Sequence, residues 1–87
     1  MNQPEKSPLK ARVVVTLKNG VLDPQGKAIE GALRSLSIDG VTAVRQGKVF
    51  DIEFDGEDRD RARKMLGEAC ERLLANTIVE NYAIEIA

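Results

Sequence analysis

The sequence predicts one α+β domain in which an antiparallel sheet carries two helices on a single face. Three observations lead there. Apolar and polar residues alternate in separate short runs, two other segments carry apolar residues at three- and four-residue spacing, and these segments follow one another as strand, helix, strand, strand, helix, strand. A chain of 87 residues has room for one such unit and no second core.

Met1 to Pro8 holds two prolines among polar neighbours, so residues 1–9 are expected to form a flexible tail and residues 10–87 the domain. From Ala11 to Lys18 the run Arg12-Val13-Val14-Val15-Thr16-Leu17 is β-branched and apolar at successive positions, as in a central strand covered on both sides. Asp23 can cap a helix and Pro24 can occupy its first position, where no useful donor is lost. The expected buried stripe of that helix is Ala28, Ile29, Ala32, Leu33 and Leu36, with Lys27, Glu30 and Arg34 outward. Gly26 and Gly31 each weaken it by roughly 1 kcal/mol relative to alanine, which points to a close approach to its backbone.

Asp39-Gly40 breaks the chain, and Val41–Arg45 and Lys48–Asp55 read as a hairpin joined at Gln46-Gly47. Phe50, Ile52 and Phe54 alternate there with Asp51, Glu53 and Asp55, giving a core face and a wet face. A second helix starts near Glu57 and Asp58, with Ala62, Met65, Leu66, Ala69, Cys70, Leu73 and Leu74 as its apolar positions. Asn76 can end it in a left-handed conformation, and Tyr82, Ile84 and Ile86 alternate with Ala83, Glu85 and Ala87 in a last strand. The βαββαβ order is that of the ferredoxin-like fold or a relative of it. Val14, Val49 and Ala83 then fall on the sheet face without helices, where a second copy or another subunit is expected to dock.

Composition narrows the function. Thirteen basic and fourteen acidic side chains leave a net charge of −1, so no strong field attracts nucleic acid or an anionic membrane. No apolar run approaches the ~20 residues of a membrane span, and no secretory leader is seen, which makes the cytoplasm the expected location. The lone Cys70 fits a reducing compartment and lies on an apolar helix stripe, as a core cysteine does. With no histidine, Ser-His and Cys-His pairs are excluded, and no metal-ligand cluster is expected. The carboxylates sit where solvation and helix capping want them, and the glycines match no phosphate-binding motif. The aromatics Phe50, Phe54 and Tyr82 alternate toward the core, which argues against base stacking. A small-molecule-sensing regulatory domain stays open, because such modules bind ligands through backbone groups that leave no sequence signature.

Three stretches hold more detail than a generic domain requires: Thr16 to Gly26, Val44 to Lys48, and Leu73 to Tyr82. Alone, each reads as local structure, with capping and ligand or partner contact both open at Gln25 and Gly26. Taken in order and spacing, they resemble the PurS family, whose pattern runs Leu-Lys-x-Gly-Val-x-Asp-Pro-Gln-Gly, then Val-Arg-x-Gly-Lys, then Leu-Leu-Ala-Asn before Glu-x-Tyr. The resemblance covers Lys10 to Ala87. Thr77 departs from it, since the family commonly has proline there, and it implies nothing for the N-terminal tail.

The resemblance implies a non-catalytic small subunit of phosphoribosylformylglycinamidine synthase, an ATP-dependent ligase of purine biosynthesis. That enzyme converts formylglycinamide ribonucleotide, glutamine and ATP to the formylglycinamidine ribonucleotide. The implied partners are a second copy of the chain, as a dimer or tetramer, a large synthetase subunit (PurL) and a glutaminase subunit (PurQ). ATP, Mg²⁺ and glutamine would belong to those partners, and no cofactor to this chain. Carried over from the matching motifs, the partner-contact residues are Lys18, Asp23, Gln25, Gly26, Arg45, Lys48, Asn76, Glu80 and Tyr82.

Overall fold

The computed structural model describes residues 9–87, so expectations for Met1 to Pro8 lie outside it. Strand β1 spans Leu9–Leu17, β2 Gly47–Phe54 and β3 Glu80–Ile86, in the order β2-β1-β3 with both pairings antiparallel. Helix α1 spans Pro24–Ser35, and α2 spans Arg59–Ala69 before a π-helical turn over Cys70–Leu74. The α+β class and the central place of the valine run stand as read from the sequence.

Register sorts the side chains onto two faces. Val13 pairs with Phe50 and Ile84, and Ala11 with Ile52 and Ile86, which puts these residues on one face. Val13, Val15, Cys70 and Ala75 form the buried cluster there, with Phe50, Ile52, Leu74, Tyr82 and Ile84 packed against it. Ala62 and Leu66, one turn apart on α2, are buried as well. Asp58 caps α2 by accepting from the Arg61 amide at 3.0 Å, and the Arg59 and Arg63 guanidiniums donate to carbonyls of Ile84, Ile86 and Ala87. The helix therefore lies along the β3 side of the face. The other face carries Val14 beside Val49 and Ala83, as expected, and then Arg12 between Asp51 and Glu85.

Four expectations need correction. Val41–Arg45 is not a strand; its residues are occupied with α1, as described below, and the sheet has three strands among the described residues. The α1 stripe is not packed on the sheet: Ile29 and Leu36 remain exposed, at 38% and 69%, and the buried residues of α1 are Gly26 and Glu30. Glu30, expected outward, is 7% exposed. Asn76 does not take the left-handed conformation, which among non-glycine residues is found at Ser37, φ 61°. Ser37 ends α1 through bonds from its amide to the Arg34 carbonyl and from the Ile38 amide to the Leu33 carbonyl, both 3.0 Å.

The chain leaves the sheet at the end of β1 and re-enters it at Gly47, which pairs with Thr16 at that same end. Residues 18–46 thus form an arm, with α1 about 18 Å long and no more than marginal contact with any other element.

Candidate functional site

Asp23 is where the arm is fastened. Its extended backbone (φ −118°, ψ 90°) presents the carboxylate to the start of α1, and Oδ1 accepts from the Gly26 amide at 2.8 Å. The second oxygen, Oδ2, accepts from the Gln46 amide at 2.7 Å, twenty-three residues away. The Gln46 bond, then the Gly26 bond, holds the carboxyl below its ordinary pKa. Two turns along the same helix face, the Glu30 carboxylate accepts from the Val44 amide at 2.9 Å, which lowers its pKa too, with Lys27 at 3.6 Å assisting. Two helix carboxylates therefore satisfy the backbone of the returning segment in place of a neighbouring strand.

Arg45 closes the loop from the other side. Its guanidinium donates to the Val21 carbonyl at 2.7 Å and the Lys18 carbonyl at 3.0 Å, while the Lys18 amide donates to the Val79 carbonyl at 2.9 Å. The side-chain amide of Gln46 donates to that of Gln25 at 2.6 Å. Gly26 is required because a Cβ there would run into the Val44 carbonyl oxygen. The close approach inferred from sequence is real at Gly26 and absent at Gly31, which has nothing within 4 Å of its Cβ position.

Lys48 and Glu80 reach over β1 from the two flanking strands and pair at 3.6 Å, Nζ to Oε2. The other Glu80 oxygen accepts from the Asn76 amide at 2.6 Å, and Asn76 Oδ1 accepts from the Ile78 amide at 3.2 Å. Asn76 thus organises the turn into β3 by side-chain bonding, with no left-handed backbone. Asp23, Gln25, Lys48 and Glu80 line one hollow of about 250 Å³ at this end of the sheet. Tyr82 stands further along β3, its ring on the core and its hydroxyl donating to Glu71 at 2.8 Å, which raises the phenol pKa.

All the predicted residues therefore gather at one end of the sheet, Tyr82 standing in the same register row as Lys48, across Val15. The residues missed were Glu30, Gln46 and Glu71. Asp23, Gly26 and Glu30 fall at helical spacing, which would have placed Glu30 beside the cap; nothing in the sequence marks Glu71. The Asp23 and Glu30 carboxylates are spent on backbone amides, so what this site supplies is a fixed backbone and not a proton acceptor. Among the described residues no group of three His, Cys, Asp or Glu is placed to hold a metal, and no helix is long and apolar enough to cross a membrane.

The family model described as PurS, phosphoribosylformylglycinamidine (FGAM) synthase, matches residues 10–87. The PurS subunit of Bacillus subtilis phosphoribosylformylglycinamidine synthase is 44% identical over 77 residues, covering 88% of this chain and 90% of the relative. The solved structure of B. subtilis PurS is 43% identical, with a TM-score of 0.81 over 91% of this chain and 98% of that one. A chain in the structure of PurLQS from Thermotoga maritima is 33% identical, with a TM-score of 0.81 over 93% of this chain and all of that one. The family match and these likenesses in sequence and fold run over nearly the whole described chain, and this chain belongs to the PurS family of phosphoribosylformylglycinamidine synthase.

Proposed function

We propose that this chain is the small, non-catalytic subunit of phosphoribosylformylglycinamidine synthase, joining the glutaminase and synthetase subunits so that ammonia released by one reaches the other. The observation that carries the reading is the full-length likeness to a chain of an assembly named PurLQS. The site geometry supports it, because the Asp23 carboxylate and the Arg45 guanidinium of the matching motifs, with the Glu30 carboxylate between them, are engaged with the chain's own backbone. In this reading the chain self-associates in the cytoplasm and carries no cofactor, while ATP, Mg²⁺ and glutamine are used by the partners. Lys18, Gln25, Lys48, Asn76, Glu80 and Tyr82 offer side chains for contact, standing on backbone that Asp23, Gly26 and Arg45 hold in place.

Joining two sites acts on the rate by keeping the transferred molecule near its target. The test is glutamine-dependent turnover by the synthetase and glutaminase of the same source, with and without this chain, with complex size followed by light scattering. A strong rise in rate with a three-component particle is expected. Equal glutamine use without the chain would overturn the reading.

A further inference from the structure

Gln25 stands in the first turn of α1 and Lys48 in β2, yet both line the same hollow. Helix α1 has no more than marginal contact with any other element. The spacing of these two contact residues is therefore set by the hydrogen bonds between α1 and the segment returning to β2, which together make a clip. Asp23 fastens the helix at its root, taking the Gly26 amide of α1 and the Gln46 amide of the returning segment. A rod fastened at one point turns about it. Glu30 supplies a second point, accepting from the Val44 amide at 2.9 Å. The two carboxylates are seven residues apart, about 10 Å along the helix axis, so together they fix a direction as well as a position.

Nothing in the helix or the core asks for a glutamate here. Alanine would suit the helix better, the buried cluster of the sheet does not include Glu30, and burying a carboxylate costs solvation. Glu30 is nonetheless only 7% exposed, with Lys27 at 3.6 Å offsetting its charge and the Val44 amide in front of it. We infer that Glu30 is a positioning residue for the coupled reaction, holding the arm in the one direction from which Gln25 and Lys48 meet a partner subunit together. It touches no substrate; it acts by pre-organising the surface that binds. The inference rests on the bridging role proposed above and names the residue that prepares the chain for it.

The test titrates wild-type chain, Glu30→Ala or Glu30→Gln into the synthetase and glutaminase of the same source and reads glutamine-dependent turnover against chain concentration. A charge-assisted bond to a fixed amide favours the held direction by about tenfold or more, and an arm held only part of the time binds as though diluted by that fraction. Glu30→Ala is therefore expected to raise the half-saturating chain concentration by about tenfold or more and to regain the wild-type rate at saturation. Glu30→Gln, whose side-chain carbonyl still accepts from Val44, is expected to fall between. In ¹⁵N–¹H spectra of Glu30→Ala the Val44 amide should move and exchange faster, while the amides of β1 and β3 stay in place. Wild-type half-saturation in Glu30→Ala overturns the inference. So does a lowered rate at saturation, or a change spread over β1 and β3, which would make Glu30 a residue of the fold. A wild-type chain that fails to raise turnover refutes the bridging role itself and this inference with it, an outcome distinct from a bridging chain that is indifferent to Glu30.

Discussion

Gly26→Ala and Gly31→Ala make the same chemical change five residues apart on one helix, and the structure gives them opposite signs. Alanine is favoured over glycine by about 1 kcal/mol in a helix interior. Nothing lies within 4 Å of the Cβ position at Gly31, so Gly31→Ala should stabilise the chain by about 0.5–1 kcal/mol. At Gly26 the new methyl meets the Val44 carbonyl oxygen and lies 2.9 Å from Asp23 Oδ2. Val44 is backbone and cannot retreat freely, because its amide is bonded to Glu30 and the Gln46 amide to Asp23. Overpacking of this kind costs about 1–3 kcal/mol, and Gly26 lies in the first turn, where the propensity gain is smallest. The expected net effect is a loss of about 2 kcal/mol. The two variants then differ by about 3 kcal/mol, or roughly 10–20 °C in Tm for a domain of this size. Thermal melts by circular dichroism would read this, with all variants at one protein concentration so that the Tm values compare like with like. Gly67→Ala in α2, also free of neighbours, serves as the internal standard for the propensity gain. A stabilising Gly26→Ala would show that Val44 does not rest on α1, and the clip argument would fall with it.

Acid should release the clip. Asp23 and Glu30 are held below their ordinary pKa by backbone amides and Asp51 by Arg12; a carboxyl depressed in the fold stabilises it above the unfolded pKa and ceases to as pH falls through the folded one. Tm should therefore stay level from neutrality to about pH 5 and drop below it, with a shallower drop in Glu30→Gln; a Tm that rises on acidification would contradict the assigned bonds. Cys70 is buried against Val13 and Val15, and burial, then Glu71, raises its thiol pKa. A thiol reagent should thus label it no faster than the chain opens, and at a rate that climbs with denaturant, whereas immediate labelling of the folded chain would remove Cys70 from the core.

What could be read from the sequence was what local physics decides. The β-branched run of β1, the alternation of β2 and β3, the Asp23 cap and the core place of Cys70 each follow from periodicity or from one residue's bonding habit, and each stands. What could not be read was tertiary. Val41 to Arg45 has the composition of a strand, yet the Val44 amide donates to the Glu30 carboxylate and the Arg45 guanidinium to the carbonyls of Lys18 and Val21, with the next amide, that of Gln46, going to Asp23, which takes the place of a strand neighbour. Amphipathic spacing in α1 correctly announces a face to be buried and says nothing about which molecule buries it. Glu30 was misplaced because a charged residue opposite an apolar stripe is normally solvated, and the amide it meets comes from fourteen residues away.

The two motifs that most distinguish this chain are separated by about twenty residues, and in the structure they bind each other. Asp23 takes the Gln46 amide, Gln25 the Gln46 side chain, and Arg45 the carbonyls before Asp23. Their spacing is therefore a contact within the chain, not the outline of a ligand. The energetic consequence is direction. A helix of twelve residues with an exposed apolar stripe would collapse onto the nearest apolar surface, and the nearest is its own sheet. Charge-assisted bonds to fixed amides at the root of the arm prevent that, each being stronger than a neutral hydrogen bond. The bridging role proposed above requires surfaces presented at a set angle, and the clip is the feature of this chain that fixes the arm's direction. Removing the Asp23 carboxylate would then cost assembly before it cost the sheet, because the Val13, Val15 and Cys70 cluster makes no use of the arm.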